Sequence, residues 1–159
     1  MLYACDNQWW NVHYKAVVES DFQGELWTQD YYAATRHKIN RMGSENKPGL
    51  GVHDVIHQGG NSGYQAINLA YLWGAKAIVL LGFDCSPAKD GKAHWFGQHG
   101  PGLTRQQPFS LWQAHFPQLA EDLKSQGVPV YNASRETALR CFDRVPLENL
   151  IGGQLCSQL

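Results

Sequence analysis

The sequence predicts a three-layer α/β domain with a mostly parallel sheet. Short apolar segments near residues 2–5, 25–29, 77–82 and 128–132 are typical of strands. Stretches with helical spacing lie between them, and this alternation favours a parallel sheet with helices packed on its faces. Polar residues follow most of these segments, as expected where the carboxyl ends of parallel strands form a ligand-binding edge.

Composition limits the number of domains and the class of partner. The 159 residues suit one domain over residues 1–150, with a short C-terminal tail at residues 151–159. A formal net charge of −1 and a pI near 6.6 make nucleic acid an unexpected partner. We find neither an apolar run of spanning length nor a signal peptide, so we expect no membrane partner and a cytoplasmic location. The four cysteines form no CxxC pair and are expected to be reduced thiols.

The N-terminal part is predicted to contain two strand–helix units. The first strand ends at Asp6, which adds a carboxylate to the strand end, and Asp6 or Asn7 can cap a helix that runs to about Glu19. The further elements predicted here are a strand at 25–29, a helix at 30–38 and an edge strand at 39–42.

The most informative stretch is a glycine-rich turn that leads into a helix. Gly59, Gly60 and Gly63 let the backbone turn sharply and approach a ligand closely, because they carry no Cβ. Asn61 and Ser62 are preferred N-cap residues, so the helix is predicted to begin there. A helix start attracts phosphate or carboxylate through its unpaired N–H groups and its dipole.

The helix after this turn leads to a buried strand and a carboxylate. Gly74 ends the helix, and the unbroken apolar run at 77–81 is typical of a parallel strand covered on both faces. Asp84 follows the strand at the edge where open α/β sheets bind ligands. The alternative for this whole unit is that the glycine-rich stretch forms a tight turn that binds no ligand.

A long loop follows Asp84 and contains His94, Trp95 and His99. Loops at this edge of a sheet build active sites, so we expect these residues to contact a ligand, with His94 able to act as an acid or base. The spacing of the histidines and the lack of an accompanying Cys or acidic cluster argue against zinc. The alternative is a loop folded on its own aromatic residues.

The C-terminal part is predicted to add one long helix and one more strand. Apolar residues recur every three or four positions over 108–126, and a short strand follows at 128–132. Two polar residues, Asn132 and Ser134, then lie at the end of this strand. One or two helical turns are predicted at 136–141.

Several segments, taken in this order, carry a resemblance to a known group of proteins. They are YACD…WW, WTQ, IHQGGNSGYQAINLAYLWGAKAIVLLGFD, HWFG.H and VYNAS…T.L..F.R.PLE. The chain resembles small phage and prophage proteins of the Rossmann-like superfamily that includes the archaeal MptE-like hydroxymethyl-dihydropterin pyrophosphokinase and the bacterial sialyltransferases. The resemblance covers residues 2–150, and its most specific part is the Ser-Gly-x-x-Ala to Gly-x-Asp pattern in residues 62–84.

The resemblance implies a nucleotide-type ligand. In that superfamily the corresponding serine–glycine turn contacts the phosphates or the sugar of such a ligand. The implied phosphate contacts here are Asn61, Ser62 and Gly63. Asp84 is implied as a ligand or support residue, and Asn132 and Ser134 are implied to lie at the neighbouring strand end.

The chain departs from the superfamily pattern at its start. Members with transferase activity usually begin with an extra strand and a Gly-Pro-Ser type loop, and nothing before Leu2 corresponds to them. We therefore expect catalysis to be affected more than binding. An uncovered sheet edge also favours self-association, so a homodimer or higher homo-oligomer is expected.

Two functions follow from these features. The first is capture of a phosphorylated nucleotide-like small molecule without turnover; a phage protein that sequesters a host nucleotide signal would have this role. The second is transfer of a glycosyl or pyrophosphoryl group from a nucleotide donor, with Asp84 or His94 as base and Mg²⁺ as the only cofactor considered. No protein ligands for a metal are predicted. The predicted ligand contacts are Asp6, Gly59, Gly60, Asn61, Ser62, Gly63, Asp84, His94, Trp95, His99, Asn132 and Ser134.

Overall fold

The computed structural model describes residues 1–87, 103 and 108–151. These residues form an α/β fold, as the sequence predicts. The strands are β1 Leu2–Tyr3, β2 Leu26–Thr28, β3 Asn40–Arg41, β4 Gly43–Glu45, β5 Val55–His57, β6 Ile78–Leu80, β7 Val130–Asn132 and β8 Asp143–Arg144. The helices are α1 Asn7–Val18, α2 Tyr31–His37, α3 Ser62–Leu72, α4 Phe109–Ser125 and α5 Leu147–Ile151. Strands β4, β5 and β8 and helix α5 are short and were not predicted from the sequence.

The strands form three small sheets with parallel ladders, in the orders β1-β2-β3, β4-β5 and β6-β7-β8. Strands β3 and β4 belong to one extended segment that is interrupted at Met42. The Met42 N–H donates to the Thr28 carbonyl at 2.9 Å, and the next N–H, of Gly43, donates to the Asp54 carbonyl at 3.2 Å. Successive N–H groups therefore point to opposite neighbours, and this segment joins the first two sheets side by side.

The first sheet is the middle of three layers. Alternate residues of a strand point to opposite faces. Leu2 and Leu26 pack with α1 and α2 around Trp10, which is fully buried. Their neighbours Tyr3 and Trp27 pack on the other face, against α3. The predicted three-layer arrangement is therefore confirmed for this sheet.

The third sheet is covered on one face. Ile78 and Leu80 of β6 are buried in the main core, together with residues of α3 and α4. Val79 and Leu81 point the other way and are 44% and 56% exposed. The prediction that this apolar run is covered on both faces is wrong, because no element in the described part of the chain packs on the second face.

Helices α3 and α4 pack on each other and hold the loop before β5. Tyr64 lies beside Phe116, with ring centroids 5.2 Å apart. The Tyr64 hydroxyl accepts from the Gly49 N–H at 2.5 Å, and Asp122 accepts from the Leu50 N–H at 2.8 Å. The loop therefore depends on side chains from both helices.

The helical turns predicted at 136–141 are wrong, because this segment has irregular structure. The Thr137 hydroxyl donates to the Phe83 carbonyl at 2.6 Å and accepts from the Leu139 N–H at 3.1 Å. These side-chain bonds replace the backbone bonds that a helix would need.

Within the described residues, no helix has both the length and the apolar character needed to cross a membrane.

Candidate functional site

The glycine-rich turn at residues 59–63, hereafter the turn, lies between the carboxyl ends of two strands. The Cys5 N–H, just after β1, donates to the Ser62 Oγ at 3.3 Å, and that hydroxyl lies 2.9 Å from the Cys5 Sγ. On the other side, a Cβ at Gly63 would lie 2.9 Å from a ring carbon of Phe83, which follows β6. The start of α3 therefore joins the ends of β1 and β6, as expected for the ligand-binding edge of an α/β protein.

Two glycines of the turn make room for aromatic rings of the protein itself. Gly59 has a φ of +54°, and a Cβ there would lie 2.2 Å from the Tyr64 ring. Gly60 has a φ of +89°, and a Cβ there would lie 3.0 Å from the Trp112 ring. His115 fixes the same turn, since its Nδ1 lies 3.0 Å from the Gly59 carbonyl. At these two positions the space that a side chain would fill is occupied by the rings of Tyr64, from α3, and Trp112, from α4.

The predicted helix cap is confirmed at Asn61. Its Oδ1 accepts from the Tyr64 N–H at 2.9 Å, which also identifies the other end of the amide as the donor. That donor, Nδ2, is buried and has no hydrogen-bond partner within the described residues. The N–H groups of Ser62 and Gly63 lie in the first turn of α3 and so have no intrahelical acceptor.

A second helix starts at the same place. Helix α1 begins at Asn7, two residues after Cys5, and the Asp6 side chain makes no capping bond to it. The Oδ1 of Asn7 is also buried without a partner in the described part of the chain. Cys5 thus connects the starts of α1 and α3, and both helix dipoles contribute positive potential at this edge. Asp6, which is exposed, adds a carboxylate beside them.

Neutral side chains connect the strand ends next to the turn. Gln29 donates from Nε2 to the Cys5 carbonyl at 3.2 Å and accepts from the Ser44 hydroxyl at 2.7 Å. Gln58 donates to the Ser44 Oγ at 2.9 Å, and the Gln65 Nε2 donates to the Gln58 carbonyl at 3.1 Å. We call these four side chains, Gln29, Ser44, Gln58 and Gln65, the glutamine network. This network was not predicted from the sequence, although three of its residues stand in or just after strands.

Burial keeps two ionisable groups of this edge neutral. It raises the pKa of the Cys5 thiol to about 11, against the lowering effect of the hydrogen bond to Ser62. Burial also raises the pKa of the Tyr3 phenol, whose hydroxyl donates to Gln65. Cys5 is therefore a neutral thiol near neutral pH, and a neutral thiol is a poor nucleophile.

A cleft of about 940 Å³ lies at the carboxyl ends of β6 and β7 and reaches α5. Asp84 and Ser134, both predicted as site residues, line it, together with Arg135 and Arg144, which were not predicted. Phe83 links the cleft to the turn, because it contacts Gly63 and its N–H donates to the Ser134 Oγ at 2.8 Å.

The remaining predicted residues are placed differently. Asn132 is fully buried; its Nδ2 donates to the Thr137 Oγ1 at 3.2 Å, and its Oδ1 accepts from the Ser134 N–H at 3.0 Å. Asn132 thus shapes the loop that carries Ser134. The predicted contacts His94, Trp95 and His99 lie outside the described residues. Among the described residues, no group of three or more His, Cys, Asp or Glu side chains could hold a metal ion.

Comparison of the chain with protein-family models, with curated proteins and with solved structures finds no match.

Proposed function

We propose that this protein binds a phosphorylated nucleotide-like small molecule at the start of α3 and holds it without turnover. The observation that carries the proposal is the Asn61 Nδ2, a buried donor with no partner among the described residues. Burying an amide donor without an acceptor is unfavourable by about 1–3 kcal/mol. A ligand oxygen at this position removes that cost.

The arrangement of donors favours an anion. An exposed helix start stabilises a negative charge by about 0.3–1 kcal/mol, so the two helix dipoles at Cys5 alone give weak binding. Hydrogen bonds to a charged acceptor contribute about 1.5–3 kcal/mol each, and they supply the larger share. The donors proposed for the phosphate are the Asn61 Nδ2 and the N–H groups of Ser62 and Gly63. Gly59 and Gly60 act indirectly, by letting the turn pack under Tyr64 and Trp112.

The neighbouring groups suit the uncharged part of a nucleotide. Many of the donors and acceptors of the glutamine network are bonded within it, but Gln29, Ser44 and Gln58 are partly exposed. Neutral amide and hydroxyl groups of this kind match the edges of a base or the hydroxyls of a sugar. Asp6 is exposed beside it, and a carboxylate near a strand end is a common acceptor for ribose hydroxyls.

Capture is proposed over transfer because the groups at the turn suit binding rather than acid–base chemistry. They are amides, a hydroxyl and a thiol whose pKa is raised, and the carboxylate beside them, Asp6, is assigned to the hydroxyls of the ligand. Such groups orient a ligand but do not supply a base or a nucleophile near neutral pH. The resemblance to phage proteins extends the proposal: the ligand would be a host nucleotide signal that the protein removes from solution by binding it.

The decisive experiment replaces Asn61 by aspartate and measures the affinity for ATP by titration calorimetry. Aspartate caps a helix as well as asparagine does, so α3 should stay folded. The change removes the unpaired donor and adds a negative charge, so we expect ATP to bind at least about tenfold more weakly. Asn40→Asp is the matched control, since Asn40 is exposed in β3 and gains the same charge. Equal affinity of ATP for the wild type and Asn61→Asp would refute the proposed site.

A second measurement separates capture from transfer. The protein is incubated with ATP and Mg²⁺ and then denatured by heat, and the released nucleotides are separated by chromatography. We expect ATP to be recovered unchanged. Product that accumulates with time in the wild type, and that disappears in Asp84→Asn or His94→Ala, would identify a transferase instead.

A further inference from the structure

Three arginines near the C-terminal end of the fold gather around two adjoining hollows. The first hollow is the cleft of about 940 Å³, which Arg135 and Arg144 line. The second is a hollow of about 450 Å³, lined by these two and by Arg140. The hollows share Ser86 and Glu136, so they form one continuous surface at the ends of β6 and β7.

The guanidinium group of Arg144 is held by the backbone. Its Nη2 donates to the Ser134 carbonyl at 2.8 Å and to the Arg135 carbonyl at 3.2 Å. A guanidinium has five N–H donors, so these two bonds leave others for a ligand. Fixing a charged side chain in advance lowers the entropy lost when the ligand binds.

The three arginines form no salt bridge with another described residue. In the described part of the chain, the salt bridges found involve Lys15 and Lys47, and none involves these arginines. Glu136 lines both hollows and has an interaction of its own. The smaller hollow thus carries three arginines against one glutamate.

The larger hollow, which is the cleft of about 940 Å³, also carries carboxylates. Asp84 and Glu148 line the larger hollow but not the smaller one. The surface therefore combines an arginine-rich hollow with a larger one in which carboxylates accompany two of the arginines. A single anion matches only the arginines. A molecule with a phosphate at one end and hydroxyl or amino donors at the other matches both.

We propose that the end formed by Arg135, Arg140 and Arg144 is a second anion subsite, which binds a phosphate group of a small molecule whose hydroxyl or amino groups face Asp84 and Glu148. Arginine suits this role because its planar fork binds two phosphate oxygens at once. The volume of the cleft lies in the range of about 300–1,000 Å³ that small-molecule sites occupy. The identity of the ligand at this subsite rests on the proposed function. Phe83 connects the subsite to the turn, because its ring lies beside Gly63 and its N–H donates to Ser134.

The test uses inorganic pyrophosphate as the probe, with Arg135→Gln and Arg140→Gln combined in the full chain. Arg144 is left unchanged because its bonds to two carbonyls also hold the loop. Arg36→Gln, on α2, is the control for the loss of positive charge elsewhere, and circular dichroism checks that each variant is folded. We expect pyrophosphate to bind the wild type with a Kd of about 1 mM or lower. The double variant should bind it at least about tenfold more weakly, and Arg36→Gln should bind it as the wild type does.

Asn61→Asp is measured in the same series, so that the subsite and the turn are tested separately. If pyrophosphate binding is retained in Asn61→Asp and lost in the arginine variant, the subsite is supported whatever the result for ATP at the turn. The subsite is refuted if the wild type does not bind pyrophosphate. It is also refuted if the arginine variant binds as tightly as the wild type, or if Arg36→Gln loses as much affinity.

Discussion

At the scale of single residues, Gly59 and Gly60 have backbone angles in the left-handed region and aromatic rings where side chains would be. Their role is therefore in packing: Tyr64 and Trp112 cover the turn from the side of α3 and α4. Ser62 and Asn61, by contrast, carry the polar atoms of the site. The same short motif thus combines residues that build the turn with residues that can contact a ligand.

A comparison of two glycine substitutions tests this division. Gly59 and Gly74 both have positive φ, but a Cβ at Gly74 has nothing within 4 Å. We expect Gly74→Ala to lower the free energy of unfolding by about 1–2 kcal/mol, the cost of a left-handed residue with a side chain. Gly59→Ala should cost about 1–3 kcal/mol more, because its methyl group collides with the Tyr64 ring. Urea unfolding of both variants measures the difference, and equal losses would mean that Tyr64 moves aside freely.

At the scale of elements, α3 is the helix on which the proposed site depends. Its first turn is capped by Asn61, and the Ser62 hydroxyl ties it to the end of β1. Its other residues pack on both sheets, since Leu69 belongs to the core under the first sheet and Ile67 to the core under the third. A shift of this helix would therefore disturb the site and both cores together.

The cap itself can be tested by its effect on stability. Asn61→Ala removes the acceptor for the Tyr64 N–H, so we expect the free energy of unfolding to fall by about 1 kcal/mol. Asn61→Asp should lose less, because aspartate provides the same acceptor and its charge faces the start of a helix. Asp30→Ala is a positive control, since Asp30 caps α2 by accepting from the Ala33 N–H at 2.8 Å. If thermal or urea unfolding shows the same loss for Asn61→Asp as for Asn61→Ala, the Asn61 cap is not what stabilises α3.

At the scale of the whole molecule, the face of the third sheet that no described element covers offers a surface for self-association. Val79 and Leu81 are exposed there, and Tyr131 pairs with Val79 in register, so its side chain lies on the same face. The predicted homodimer would bury such residues, and cyclic pairs are the commonest assembly.

Light scattering across a range of protein concentrations tests this assembly. We expect the wild type to have the mass of a dimer and the double variant Val79→Lys, Leu81→Lys to have that of a monomer, because burying lysines without partners is unfavourable. Val12→Lys, on the exposed side of α1, should remain a dimer. A wild type that stays monomeric at every concentration would refute the prediction, and a Val12→Lys variant that dissociates as well would place the interface elsewhere.

Local patterns in the sequence were sufficient to predict the fold class. The alternation of apolar segments with helical spacing predicted parallel strands, and β1, β2, β6 and β7 lie within the predicted ranges. The cap at Asn61 was also predictable, because an N-cap residue acts on an N–H only three positions away. Both signals depend on neighbours in the chain, so a single sequence contains them.

Contacts between distant segments were decided by the tertiary structure alone. The ring that covers Gly60 comes from α4, and the glutamine network draws on residues from the end of β2 to α3. Arg135 and Arg144 meet at the cleft because the chain returns after β7 and places β8 beside it. The burial of an apolar strand is decided in the same way: β6 has the composition of a strand covered on both faces, yet Val79 and Leu81 are exposed. The periodicity of apolar residues along the sequence indicates which face of a segment is apolar. It carries no information about which other segment packs there, because that choice depends on shape and packing between residues far apart in the chain.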